Sequence, residues 1–460
     1  MKRIHIILLS AAMLLSIGAS AQSFRSGYFL DNYVYGYRIN PAQVNDKGFG
    51  SLLLGNIDLS SASSMGVSSF LFPTADGKGL VTGLNGAVSR DTFLGKLKQN
   101  NFISLDGSIN VFTIGIANGE SQHTLELNAR LMNSENLPFE MFSLLKSGAA
   151  GTYDLGRLYF DATALADLCY GFSTNVTDFL SVGGRLHLMV GVANVNFIND
   201  GSSVVLSDEK IYAGEYAYLD ASGLLSFNTD AEGNIDLNTL NVKGSPIGGF
   251  GAALDLGVQY KSNFGLEAMF SINDLGAISW ENKLHAHVHG AVEYTGLFDE
   301  NGTLTTDLED LMDLGNAINY RVEKGDRQLR MNPFKVAAGA RYHMPFWEGL
   351  SVGFLGTVNV AKYTSWYDMR LGATVTPARI LSATANIGYG TFGPVWGAAL
   401  NLRLGPINIV GGFDGYMGPQ GKYTLPTAEM PAPLNKLNAT LRFPVNSFME
   451  NAHIGIGLAF

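Results

Sequence analysis

Apolar residues alternate with small or polar ones along much of the chain. This period of two belongs to a β-strand, whose successive side chains point to opposite faces. From Gly249 to Lys261 one face carries Gly249, Gly251, Ala253, Asp255, Gly257, Gln259 and Lys261, and the other Phe250, Ala252, Leu254, Leu256, Val258 and Tyr260. That run exceeds the ~5–6 residues of an ordinary strand and meets the ~9–11 that a tilted strand needs to cross a bilayer. From Ser181 to Val192 the same rule separates Val182, Leu186, Leu188, Val190 and Val192 from Arg185 and His187.

The alternation continues through Phe264–Asn273, Leu284–Tyr294, Lys335–Met344, Leu350–Ala361, Tyr367–Thr376, Leu381–Tyr389, Pro394–Leu404, Pro406–Tyr416 and Ala452–Phe460. Weaker candidates are Ser51–Leu59, Ser63–Phe72, Phe102–Ala117, His123–Leu131, Gly156–Thr163 and Ala166–Phe172. Strands this long with one uniformly apolar face would expose large patches to water, which disfavours a soluble sandwich or solenoid. The pattern predicts an all-β fold: a transmembrane antiparallel β-barrel of about 14 strands, 14 to 16 at the outside, with short helices. Assigning Leu437–Phe443 to a loop keeps the long connections Leu297–Asn332 and Met417–Lys436 on the outer side, where long loops belong. Helical spacing appears at Ser89–Leu97, at Leu137–Lys146 with Pro138 at its start, and at Asp307–Leu314, all read as loop elements.

The ends supply the route. Lys2 and Arg3 precede an apolar run from Ile4 to Ile17, and Ala19-Ser20-Ala21 offers a small-x-small cleavage site. Residues 1–21 therefore read as a cleaved signal peptide, the apolar run being too short to span a bilayer. Residues 22–48 form an N-terminal segment, and 49–460 the barrel. The final strand ends on an aromatic carboxy terminus, and His453, Gly455, Leu458 and Phe460 resemble the sorting signal that Gram-negative barrels present to their assembly machinery.

Composition narrows the class further. Only 15% of residues are charged while 46% are hydrophobic, against about 25% charged in soluble proteins. Glycine reaches 55, where about 7% usage would give roughly 32. Without residues 1–21 the chain has 28 basic and 40 acidic residues, net −12, which argues against nucleic acid. The single cysteine, Cys169, allows no intramolecular disulfide, lies far from the cleavage junction and has no basic neighbour in sequence to activate it. Arg185, Lys261, Lys335, Arg341, Arg370, Asp255 and Glu267 fall on the small or polar face, where pairing across the lumen is expected. Trp280, Trp347, Trp366 and Trp396 fall near strand ends, where aromatic girdles lie.

Chemistry has one conspicuous candidate. His285, His287 and His289 occupy alternate positions of one strand, about 6.6 Å between neighbours, as in a strand metal site. Further ligands from a neighbouring strand would be needed, so a hydrated polar lining is the expectation, with no metal and no cofactor. No Gly-x-Ser-x-Gly elbow, His-Glu-x-x-His or phosphate-cradling loop is present. No catalytic residue is predicted, and the chain is expected not to be an enzyme.

Asn40-Pro41-Ala42, Tyr170–Asn194 and Gly251–Trp280, with Ser271-Ile-Asn-Asp274-Leu-Gly276-Ala-Ile278-Ser-Trp280, resemble an uncharacterised (domain of unknown function) family of Gram-negative outer-membrane barrels. That family is similar in outline to FadL-type fatty-acid channels and PorV-type secretion barrels. The resemblance covers nearly the whole mature chain and implies an N-terminal hatch occluding the lumen, with Asn40, Pro41 and Ala42 where it meets the first strand. It implies a conduit for small or hydrophobic molecules in the outer membrane. The alternative is a non-enzymatic partner barrel docking an exported protein through residues 201–244 and 297–332. Expected partners are outer-membrane lipid, the barrel-assembly machinery, and either a small hydrophobic ligand or an exported protein.

Overall fold

The computed structural model describes residues 24–460 except 53–54, 76–79, 148–149, 200, 202, 207–210, 214–216, 232, 282–283, 289–291, 295–319, 324 and 425–439. Residues 1–21, read above as a signal peptide, His289 and the stretch 307–314, read above as helical, lie outside the described residues.

Fourteen strands form the wall. β1 runs Phe49–Leu52 and, after a break, Asn56–Ser63. It is followed by β2 (Asn100–Ala117), β3 (Ser121–Pro138), β4 (Tyr159–Asn175), β5 (Leu180–Asn199), β6 (Gly249–Lys261) and β7 (Leu266–Glu281). The second half comprises β8 (Phe334–Met344), β9 (Trp347–Val360), β10 (Trp366–Ala378), β11 (Leu381–Gly390), β12 (Gly393–Leu404), β13 (Ile407–Tyr416) and β14 (Phe448–Ala459). Each pairs antiparallel with the next, and β14 closes onto β1 through Phe49↔Ala459 and Asn56↔Gly455. Closure leaves the wall no unpaired edge, which a lipid-embedded sheet requires.

Residues 118–120, 176–179, 262–265, 345–346, 379–380 and 405–406 make short turns at one rim, where the wall also begins and ends. The long connections 64–99, 139–158, 200–248, 282–333 and 417–447 all leave the opposite rim, which also carries the short connections 361–365 and 391–392. Thr440–Pro444 pairs with Gln420–Thr424 in a separate hairpin, so this stretch belongs to a loop and keeps the wall even-stranded.

The period-two pattern becomes the two faces of the wall. Along β10, Trp366, Asp368, Arg370 and Thr374 are buried, while Tyr367, Met369, Leu371 and Val375 are exposed. Leu186, Leu188, Phe250, Ile387, Leu400 and Ile456 continue the exposed apolar surface around the barrel. An apolar band enclosing a closed barrel faces lipid. Among the tryptophans, Trp347 and Trp396 are exposed on this surface, but Trp280 and Trp366 point inward and are buried, so they are not interfacial anchors.

Several expected segments differ. Ser63–Phe72 is not one wall strand: β1 ends at Ser63, a 3-10 turn follows at Val67–Ser69, and Leu71–Pro73 pairs with Leu80–Thr82. Gly156–Thr163 and Ala166–Phe172 fuse into β4. Leu284–Tyr294 leaves the wall altogether. Leu284–Val288 pairs with Ala217–Gly223, which pairs with the Ala193–Asn199 end of β5 beyond the long-loop rim. The 20-residue β5 outlasts the membrane span, and its overhang continues the sheet outside lipid. Arg90–Leu94, capped by the Ser89 hydroxyl on Thr92 N–H, and Phe139–Ser147 pack Phe93 against Phe142 as loop elements of that rim.

Candidate functional site

Residues 24–45 lie inside the wall. They form a short helix at Ser26–Phe29 and a 3-10 turn at Gly36–Arg38, with Phe24, Phe29, Tyr33, Tyr35 and Tyr37 buried in one cluster with Phe49. This segment lacks strand alternation and packs its apolar side chains on one another and on the inner face of the wall, in the position expected of a hatch, and is termed the hatch. Asn40, Pro41 and Ala42 lie toward its C-terminal end, against β5 and β6 rather than the first strand. Asn40 Oδ1 accepts the Ala42 N–H at 3.1 Å, an Asx turn, and Asn40 Nδ2 donates to the Val258 carbonyl at 3.3 Å. Two inward glycines make the approach possible: a Cβ at Gly183 would overlap the Pro41 carbonyl, and one at Gly257 would overlap Asn40 Oδ1.

Polar side chains tie the hatch to the wall. Glu126 on β3, fully buried, accepts from Tyr37 Oη at 2.6 Å, Arg38 Nη2 at 2.7 Å and Arg185 Nη2 at 2.5 Å. Burial first, and then the neighbouring Glu126, push the Tyr37 phenol well above its usual range, so it remains a donor. On the other side, Asp414 of β13 accepts from Ser26 Oγ and the Arg25 N–H, and Asp368 of β10 lies 3.4 Å from Arg25 Nε. Toward the short-turn rim, Arg341 donates to the Phe29 carbonyl at 2.9 Å and pairs with Asp31 at 3.0 Å.

The hatch separates two spaces. A cavity of about 170 Å3 lies between it and the long-loop rim, lined by Arg38, Ser104, Asn133, Asn273, Lys335 and Trp366 among others. A larger one of about 890 Å3 opens toward the short-turn rim, bounded by hatch residues such as Tyr28 and Gln43 and by Lys261, Arg341 and Arg403 of the wall.

The inward charges mostly pair with one another. Arg185 bridges Glu126 and Asp255, Arg130 binds Asp274 at 2.6 Å, Arg341 binds Glu267 at 3.0 Å, and Arg370 bridges Asp368 and Asp414. Cys169, fully buried, does have an imidazole neighbour, since the register Cys169↔His187 brings Sγ to 3.6 Å from His187 Nε2. His187 nevertheless donates from both nitrogens, Nδ1 to Asp167 at 2.9 Å and Nε2 to Asp255 at 3.0 Å, and so has no lone pair with which to take the thiol proton.

His285 and His287 stand on the outer sheet rather than in the lumen. His285 Nδ1 binds Asp220 at 2.6 Å and His287 Nδ1 lies 3.4 Å from Glu323, so each meets a different carboxylate. Among the described residues, His187, Asp255 and Asp274 are the group with metal-ligand proximity, and all three are engaged in the ion pairs above. Of the terminal residues, His453 and Gly455 face inward, whereas Leu458 and Phe460 are exposed outside. His453 Nδ1 binds Asp58 at 2.7 Å, and its ring stacks on Phe24 of the hatch at 4.2 Å. Sequence reading missed Glu126, Asp167, Asp368 and Asp414. Their inward phase was readable from alternation, but their partners depend on strand register and on the path of the hatch.

The family described as "Family of unknown function (DUF5723)" matches residues 41–414. No curated protein matches the sequence. Among solved structures, the toluene transporter TbuX of Ralstonia pickettii is 9% identical, with a TM-score of 0.44 over 96% of this chain and 95% of that one. The P. putida toluene transporter TodX is 10% identical, with a TM-score of 0.40 over 96% of each chain. A Pseudomonas aeruginosa FadL homologue is 11% identical, with a TM-score of 0.40 over 95% of each. These likenesses are remote.

Proposed function

This chain belongs to DUF5723, a family of unknown function, and from that footing we propose that it is an outer-membrane conduit for small molecules, closed by its own N-terminal hatch. One observation carries the reading: residues 24–45 stand between two lumenal cavities, one toward each rim. A barrel that served only as a membrane anchor would need neither space.

The way the hatch is held also suits a gate. Its polar contacts to the wall include hydrogen bonds and ion pairs at Glu126, Asp414 and Arg341, each of which can be exchanged for water as the segment shifts. Its apolar side chains pack on one another and on Phe49, Met269, Leu355 and Val410 of the wall. The band of exposed Leu, Ile and Phe takes outer-membrane lipid, and the exposed Leu458 and Phe460 stay with the barrel-assembly machinery as part of the same proposal. Residues 295–319, which form much of the second of the two loops on which the docking alternative rests, lie outside the described residues.

Swelling of proteoliposomes in solutes of increasing size tests this. The reading expects protein-dependent entry of small solutes with a sharp size limit; vesicles that stay sealed to every solute would overturn it.

A further inference from the structure

The cavity facing the long loops carries a row of polar groups that the hatch does not satisfy. Asn273 of β7 pairs with Lys335 of β8, Lys335 with Asn359 of β9, and Asn359 with Trp366 of β10, so the four share one level across four adjacent strands. All four line the cavity. The Lys335 ammonium makes no direct hydrogen bond or ion pair with a described residue, its nearby counter-charges being Asp274 and Asp106 of the same lining, whereas Arg38, Arg130 and Arg185 are paired directly. Trp366, 2% exposed, has an unpartnered indole Nε1. Asn273, 8% exposed, gives its Nδ2 to the Ile39 carbonyl at 3.0 Å, which leaves Oδ1 unpartnered. Across the cavity, Ser104 Oγ and Asn133 Oδ1 are also buried without a partner.

Unsatisfied polar groups in a confined space cost free energy until something pairs with them. Here they are of both kinds: Lys335 and Trp366 offer N–H donors, while Asn273 Oδ1 and Asn133 Oδ1 can only accept. A volume of about 170 Å3 holds roughly five or six waters at ~30 Å3 each, the bulk of a solute of similar atom count. We infer that this cavity binds a small carboxylate that also carries hydroxyl or ammonium donors, its carboxylate held by Lys335 and Trp366 and its donors by Asn273, Asn133 and Ser104. The inference names the cargo of the proposed conduit and so rests on that reading, while shifting it from hydrophobic to polar molecules. It also sets the solute on the hatch itself, because Asn273 binds Ile39 and the Arg25 guanidinium lies 5.0 Å from the Trp366 ring.

Calorimetric titration of the full detergent-solubilised barrel tests this with L-alanine, L-lactate, propionate and toluene. Alanine and lactate should bind saturably, and propionate, which lacks the donors, about tenfold or more weaker. Lys335→Met should weaken alanine and lactate by a similar factor and Lys335→Arg should largely restore them, with gel heat-modifiability confirming that each variant is folded. Ser104→Ala gives a second reading at a site that adds no charge. Propionate or toluene binding as tightly as alanine, or no effect of Lys335→Met and Ser104→Ala, would overturn the inference. Swelling of proteoliposomes without saturable binding sinks it and leaves the conduit standing, whereas binding without flux upholds the site and removes the conduit.

Discussion

Arg38 of the hatch grips Glu126 of the wall with two arms of one guanidinium: Nε and Nη2 donate to the same Oε1 at 3.0 and 2.7 Å. Arg185 and Tyr37 complete the shell around a carboxylate that has no exposed surface. Removing the carboxylate takes away the Arg38 ion pair and leaves Arg185 with Asp255 alone, and breaking a buried pair this way typically costs about 3–5 kcal/mol. Glu126→Ala should therefore lower the denaturant midpoint and speed proteoliposome swelling, because it weakens the hatch more than the strand pairing around it. Unchanged swelling together with an unchanged midpoint would remove Glu126 from its latch role.

Gly257 tests the fit of the hatch without touching a charge. A valine there would overlap Asn40 and Pro41 yet face the lumen, leaving the lipid surface intact. Overpacking of this kind costs about 1–3 kcal/mol. Gly257→Val should expose residues 24–45 to added protease while the wall keeps its heat-modifiable migration. Full protection of the hatch in this variant would contradict the packing described.

Phe460 lies exposed at the end of β14, its N–H donating to the Gly48 carbonyl at 2.8 Å across the closure. Deleting it, or substituting Phe460→Asp, should reduce the barrel recovered from membranes and leave degradation fragments in the periplasm. Normal recovery of both variants would count against the terminal signal.

Cys169 should resist maleimide in the folded barrel and react fully only after denaturation, because Sγ is buried and His187 is held by Asp167 and Asp255. Rapid labelling of the native protein would show that the charge network around it opens.

Much of this architecture is legible in the chain because lipid and lumen impose opposite demands on alternate residues. The alternation at Gly249–Lys261 became β6 with the same limits, and the even strand count followed once Leu437–Phe443 was left in a loop. Alternation reports facing but not membrane depth. Leu284–Tyr294 has the right period, yet Leu284–Val288 pairs with Ala217–Gly223, the strand that extends the overhang of β5, and takes His285 and His287 out of the lumen. The same limit applies to Trp280 and Trp366, which lie near strand ends as anchors do but are buried on the inner face. The site was less readable still. Glu126 and Lys335 gain their roles from register across strands, one by collecting partners and the other by its place on the cavity wall.

The account stands most directly on movement of the hatch. Asn386 Nδ2 donates to Ser26 Oγ at 2.7 Å, so the side chains of hatch and wall already meet there. The double variant Ser26→Cys, Asn386→Cys can staple the two reversibly, and L-alanine flux into proteoliposomes can be followed before and after reduction. The account predicts little flux with the disulfide formed and recovery of flux when it is reduced. Equal flux in both states would contradict it.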